Sequence, residues 1–152
     1  MEYRKLTIDE ICRLEGFHEK IVVEKSVPLS GWFAGIMDIK LKDLSDGSIA
    51  RLVRQNFHLK YVIPEAILRL SLNPLAGKHY EGELINAMNS VKNTFWENNS
   101  NVCKDIKKLL MKIENKEIDL PKDFNWYTEK EEQEFYEEVQ KIITVLSTNL
   151  TN

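Results

Sequence analysis

The sequence predicts a mainly α-helical protein: a single domain over residues 1–152, with about five or six helices and one short strand or extended segment near the N-terminus. Three observations carry that expectation. Apolar residues recur at three- and four-residue spacing through most of the chain, which places them on one face of a helix. No stretch sustains the apolar–polar alternation of a half-buried strand, and no internal repeat is visible. The prolines and several glycines fall between the periodic segments, where turns belong.

Thr7 reads as the N-cap of a first helix that turns Ile8, Ile11 and Cys12 inward and stops at Gly16. Ile21, Val22 and Val23 suit a short strand, and Pro28 and Gly31 mark a loop. Trp32, Phe33, Ile36 and Met37 form an apolar cluster interrupted by Gly35, expected as a helical turn on the core. Ser45 or Asp46 can cap a helix that buries Ile49, Leu52, Val53 and Phe57, with Arg51 and Arg54 on its other side. Gly47, in its first turn, is a weak helix former. Pro64 fits the first turn of the next helix, where a missing N–H leaves no bond unmade. That helix is expected to bury Ile67, Leu68 and Leu72 and to end at Asn73-Pro74.

Gly77 allows the turn that follows. Glu81 and Glu83 open a third long helix, where carboxylates favour the positive end of the helix dipole, and its stripe is Leu84, Ile85, Met88, Val91 and Phe95. Residues 97–101 read as a loop. A fourth helix then turns Val102, Ile106, Leu109, Leu110 and Ile113 inward and Lys104, Lys107, Lys108 and Lys112 mostly outward. A linker around Pro121 reaches Trp126, and Thr128 opens the last helix with Glu131 as its capping-box partner. The stripe of that helix is Phe135, Val139, Ile142, Ile143 and Leu146, and the final five residues should fray.

Composition narrows the class. Hydrophobic residues make up 43% and charged residues 30%, which suits a globular chain and is too apolar for disorder. No apolar run approaches the roughly 20 residues that cross a bilayer, and the polar N-terminus does not read as a secretory signal. Cys12 and Cys103 have neither a CxxC neighbour nor an adjacent histidine, so both are expected to be buried small hydrophobes in a reducing compartment. The expected location is the cytoplasm.

The net charge of −3 is unevenly spread. Residues 1–113 carry 17 basic and 14 acidic groups, whereas residues 114–152 carry 4 basic and 10 acidic, all ten between Glu114 and Glu138. A surface of that sign repels phosphate backbones and attracts basic partners. A solvated helix face and a partner-binding surface both fit it.

Catalytic chemistry finds little support. Of His18, His58 and His79, only His79 lies near carboxylates, and its spacing to Glu81 and Glu83 across Gly82 gives no standard ligand geometry. Local capping explains these residues more simply. There is no GxSxG elbow and no phosphate-cradling glycine loop. Arg51 and Arg54, one helical turn apart, suit a phosphate or carboxylate grip, or bridges to neighbouring acids, the latter favoured. The lysines from Lys104 to Lys112 lack interleaved aromatics and are followed by the acidic segment, which argues against nucleic-acid binding. No enzyme, metal, cofactor or membrane role is expected.

DLSDGSIARLVRQN, then YVIPEAILRLSLNPLAG and YEGELINA, resembles the helical immunity proteins of bacterial contact-dependent growth inhibition (CDI) systems. The matching positions are Asp46, Arg54, Gln55, Asn56, Pro64, Pro74, Leu75, Gly77, Tyr80, Gly82, Glu83 and Leu84, with weaker similarity from Trp32 to Leu44. The resemblance implies a non-enzymatic cytoplasmic protein that binds the C-terminal toxin domain of its cognate inhibition protein and occludes its active site. The toxin it implies is basic, and of the nuclease type. The shared motif (Asp46, Arg54, Gln55, Asn56, Pro64, Pro74, Gly77, Tyr80, Gly82, Glu83) is then expected to maintain the scaffold. Toxin contacts are expected outside it, at Glu129, Glu131, Glu132, Glu134, Glu137 and Glu138. The alternative is a helical adaptor or regulatory module with another basic partner.

Overall fold

A computed structural model describes residues 2–16 and 28–150. The strand expected at Ile21–Val23, and His18, lie outside the described residues. Among those described, the chain is helical: α1 (Ile8–Leu14), α2 (Pro28–Gly35), α3 (Asp46–Arg54), α4 (Leu59–Leu72), α5 (Glu83–Ala87), α6 (Asn93–Asn98), α7 (Ser100–Glu114) and α8 (Glu129–Leu150). Short 3-10 turns lie at Tyr3–Lys5, Leu41–Asp43 and Met88–Ser90. The chain divides into two compact units, residues 1–44 and 45–152.

In the first unit, the Thr7 hydroxyl accepts from the Glu10 N–H while the Glu10 carboxylate accepts from the Thr7 N–H, a reciprocal cap that starts α1. Gly16 takes a positive φ of 94° just beyond the helix end. The start of α1 is tied down by Thr7 pairing with Lys40 in an isolated antiparallel bridge. The Leu41 N–H also donates to the Leu6 carbonyl at 2.8 Å. Ile8, Ile11, Cys12, Ile36 and Leu41 are buried. Pro28 and Gly31 do not mark a loop; they belong to α2. A proline at that place removes no N–H that α2 needs within its described residues.

The second unit is built on α7 and α8, whose stripes Cys103, Ile106, Leu109, Leu110, Ile113 and Phe135, Val139, Ile142, Ile143, Leu146 are buried. Cys103 takes the inward place expected for Val102, and its thiol donates to the Leu146 carbonyl. Against this pair pack α4, α5 and α6, and α3 packs on α4 and α5. Ser45 caps α3 by accepting from the Ser48 N–H, and Ile49, Leu52 and Val53 are buried as the spacing requires. Phe57 lies past the helix end and is partly exposed.

Four further expectations fail here. First, α4 begins at Leu59, so Pro64 sits inside it and is exposed. Burial of Leu59, Tyr61, Val62 and Ile63 carries the helix back through the proline and outweighs the one lost backbone bond. The inner face becomes Leu59, Val62, Ile63, Ala66 and Leu70. Leu68 and Leu72 are instead exposed, the latter by 77%. Second, the third helix is not continuous. It breaks after the Met88–Ser90 turn, and Trp96 rather than Phe95 is the fully buried aromatic of α6. Third, residues 97–101 form no loop, since Asn99 alone separates α6 from α7. Fourth, α8 stays helical through Leu150, so three of the five residues expected to fray belong to it, and residues 151–152 lie outside the described residues. The breaks raise the described helices to eight. Of the described helices, none is long and apolar enough to cross a membrane.

Candidate functional site

The acidic C-terminal segment resolves into α8 and the linker before it. Thr128 accepts from the Glu131 N–H at 3.1 Å and caps the helix. Glu129, Glu131 and Glu132 then stand in the first turn, where carboxylates are favoured by the helix dipole. With Phe135, Val139 and Ile142 turned to the core, the 3.6-residue period sorts the six candidate glutamates onto different flanks. Glu131, Glu134 and Glu138 share one flank. Glu129 and Glu137 are exposed on the outer side, and Gln133 donates to Glu137. Glu132 lies on the opposite flank, 3.7 Å from the Lys116 ammonium, which also sits over the Tyr136 ring. Burial and the Glu132 charge push the Tyr136 phenol above its ordinary value.

The Glu131–Glu134–Glu138 flank borders a cleft of about 340 Å³ whose far wall is Tyr80, Glu81 and Asn86. Its floor is aromatic: Trp126 packs on Phe135 with ring centroids 5.3 Å apart, and Phe124 meets Trp126 edge-on at 4.8 Å. This stack clips the linker to α8. Gly82 is required there, because its φ is +86° and an added Cβ would stand 3.1 Å from the Phe135 ring. Glu138 accepts from the amides of Asn86 and Asn89, which fixes the flank against α5 and the following turn. The cleft therefore offers four carboxylates, Glu81 among them, above an aromatic floor, which suits a cationic side chain.

The family-motif residues are placed differently. The Glu83 carboxylate, 1% exposed, accepts from the Lys78 and His79 N–H groups at 2.8 and 3.2 Å and pairs with Arg54 at 3.2 Å. Burial pushes its pKa up, but the two backbone N–H groups and the Arg54 guanidinium outweigh that and hold it below the ordinary carboxylate value. Gly77 lies against this loop, where a Cβ would come 2.5 Å from the Tyr80 carbonyl and 2.6 Å from the Glu83 Cβ. Gly47 has a comparable reason: a Cβ there would stand 2.7 Å from the Lys78 Cβ, so its weak helix propensity is accepted for close packing. Asn56, in a left-handed conformation at φ +57°, donates to the Ser90 carbonyl and accepts from the Lys92 N–H, and so holds the break before α6. Asp46 lies 3.1 Å from Arg69, which also pairs with buried Glu65 at 3.0 Å. Gln55 caps α3 and is exposed, Pro74 is buried, and Tyr80 is half-exposed at the cleft.

Sequence reasoning missed Glu65 and Arg69, whose i,i+4 spacing was the available signal. It also missed Trp126 as a cleft residue, for which no local signal exists. Both oxygens of Glu83 are engaged and His79 is exposed, so this pair forms no acid–base constellation. Among the described residues, no three His, Cys, Asp or Glu side chains are grouped to hold a metal ion. Cys12 and Cys103 are buried and in no disulfide, and burial pushes both thiols up. No curated protein matches the chain. A family model described as CDI immunity proteins matches residues 14–106, more than half of its length.

Proposed function

This chain belongs to the CDI immunity proteins, and from that premise we propose that the acidic flank of α8 is the surface that captures the toxin. Membership implies a non-enzymatic inhibitor that neutralises a cognate CDI toxin. The finer reading is that the toxin domain is basic, of the nuclease type, and is blocked by occlusion of its active site in the cytoplasm. Residues 1–152 act as one immunity domain, and the Asp46, Arg54, Asn56, Gly77, Gly82 and Glu83 set keeps its shape.

One observation carries this reading: Glu131, Glu134 and Glu138 converge with Glu81 on a single cleft. A basic, phosphate-binding active site is attracted to such a surface from a distance, and once docked it is denied to nucleic acid. Co-expression with the toxin domain encoded directly upstream tests it. Growth should be rescued, the two chains should co-purify, and nucleic-acid cleavage by the isolated toxin should stop at one equivalent of this protein. Persistent cleavage at saturation would overturn the occlusion reading.

A further inference from the structure

Glu138 bounds the cleft at one end. Beyond the Asn86 and Asn89 amides that hold this carboxylate, a second cavity of about 380 Å³ opens on the same flank of α8. Its apolar surfaces come from Met88, Val91, Trp96, Ile142 and Val145, with Lys92 and Asn93 at the rim. Trp96 and Met88 are buried at its base, whereas Val145 is 39% exposed at its edge. Lys92 is the basic member of this rim, and the carboxylates lie toward the other end. The flank thus carries two unlike cavities in line, one with carboxylates over aromatic rings and one with an exposed Val145 beside a polar rim of Asn89, Lys92 and Asn93.

Resting on the toxin-capture reading above, we propose that the two cavities form one docking groove. It receives a segment of the toxin that presents a basic side chain to one half and an apolar side chain to the other. Charge complementarity selects the occupant of the first half: Glu81, Glu131, Glu134 and Glu138 face a space floored by Trp126 and Phe135 and edged by Tyr80, which fits an arginine better than a lysine. The planar guanidinium stacks on a ring while its N–H groups reach carboxylates. The second half takes a branched aliphatic side chain against the exposed Val145 at its edge. Glu134 and Val145 are eleven residues apart on one helix, about 16 Å along its axis, a distance that about five extended residues cover. Val145 and the aromatic side chains supply residence time, and the carboxylates supply rate.

Neutral substitutions separate this groove from simple charge attraction. Val145→Gln and Tyr80→Ala alter opposite ends, add no charge and lie at exposed positions, so both should melt within a few degrees of the wild type. Binding of the upstream-encoded toxin domain is followed by biolayer interferometry. Each variant should dissociate about tenfold faster with an unchanged association rate, the size of effect expected at a central anchor. Thr144→Gln, exposed on another flank, should dissociate as the wild type does. If both groove variants dissociate at the wild-type rate while Glu131→Lys/Glu134→Lys/Glu138→Lys slows association, the groove is overturned and the α8 capture reading stands. If the charge reversal also leaves association unchanged, the capture reading falls with it.

Discussion

The Arg54 guanidinium lies 3.2 Å from the Glu83 carboxylate and joins the end of α3 to the start of α5 across 29 residues of sequence. The other oxygen of the same carboxylate closes the Lys78–His79 loop. Arg54 is one-third exposed and Glu83 is not, so the desolvated partner is the acid, and its stabilisation depends on all three donors.

Glu83→Gln keeps the shape but removes the charge that Arg54 faces. We expect a loss of about 2 kcal/mol in urea unfolding at pH 7. The pH dependence has a definite sign. The folded-state pKa of Glu83 is depressed, so its contribution is fully present above the ordinary carboxylate range and is lost as pH falls through the folded value. The variant should therefore show a flatter acid limb than the wild type; an equally steep limb would place the acid sensitivity elsewhere.

Asn56→Ala removes both hydrogen bonds that hold the break before α6 and leaves an alanine at φ +57°. The expected cost is about 2 kcal/mol, measured by urea unfolding. Asn56→Gly relieves the backbone part and should recover about half of it. Equal losses in the two variants would remove backbone strain from the explanation.

Gly77→Ala forces a Cβ against the Tyr80 carbonyl and the Glu83 Cβ, and should cost about 1–3 kcal/mol. Gly31→Ala, within α2 and with nothing inside 4 Å, should stabilise by about 0.5–1 kcal/mol through helix propensity. Melting temperatures should move in opposite directions.

Glu131→Lys/Glu134→Lys/Glu138→Lys should slow association with the toxin domain and flatten its dependence on ionic strength, since surface charges act through a field that salt screens. Stopped-flow measurement at low and high salt reads both. Reversal of Glu132, which is already paired with Lys116 on the other flank, should change the rate less.

Cys12 and Cys103 should react slowly with a thiol reagent in the native state. Both are buried, and the thiolate is the reactive form that burial suppresses. The modification rate should rise with urea in step with unfolding.

The sequence by itself determined the helices whose signals are local. Thr7 with Glu10, Ser45 with Ser48, and Thr128 with Glu131 are caps formed within one turn, and the α8 stripe from Phe135 to Leu146 follows from helical period alone. The family was legible too, because the motif from Asp46 to Leu84 is contiguous in the chain. Tertiary structure decided what distant residues control. Asn56 breaks a helix 34 residues away, burial of Leu59–Ile63 draws α4 back past its proline, and packing of Phe135 against Trp126 settles which glutamates share a cleft. Caps and periodicity report the chain's neighbours within a turn or two. Which of several amphipathic faces is buried, and which acids converge, depends on the partner each helix packs against, and that is set by the competition for buried area across the whole unit.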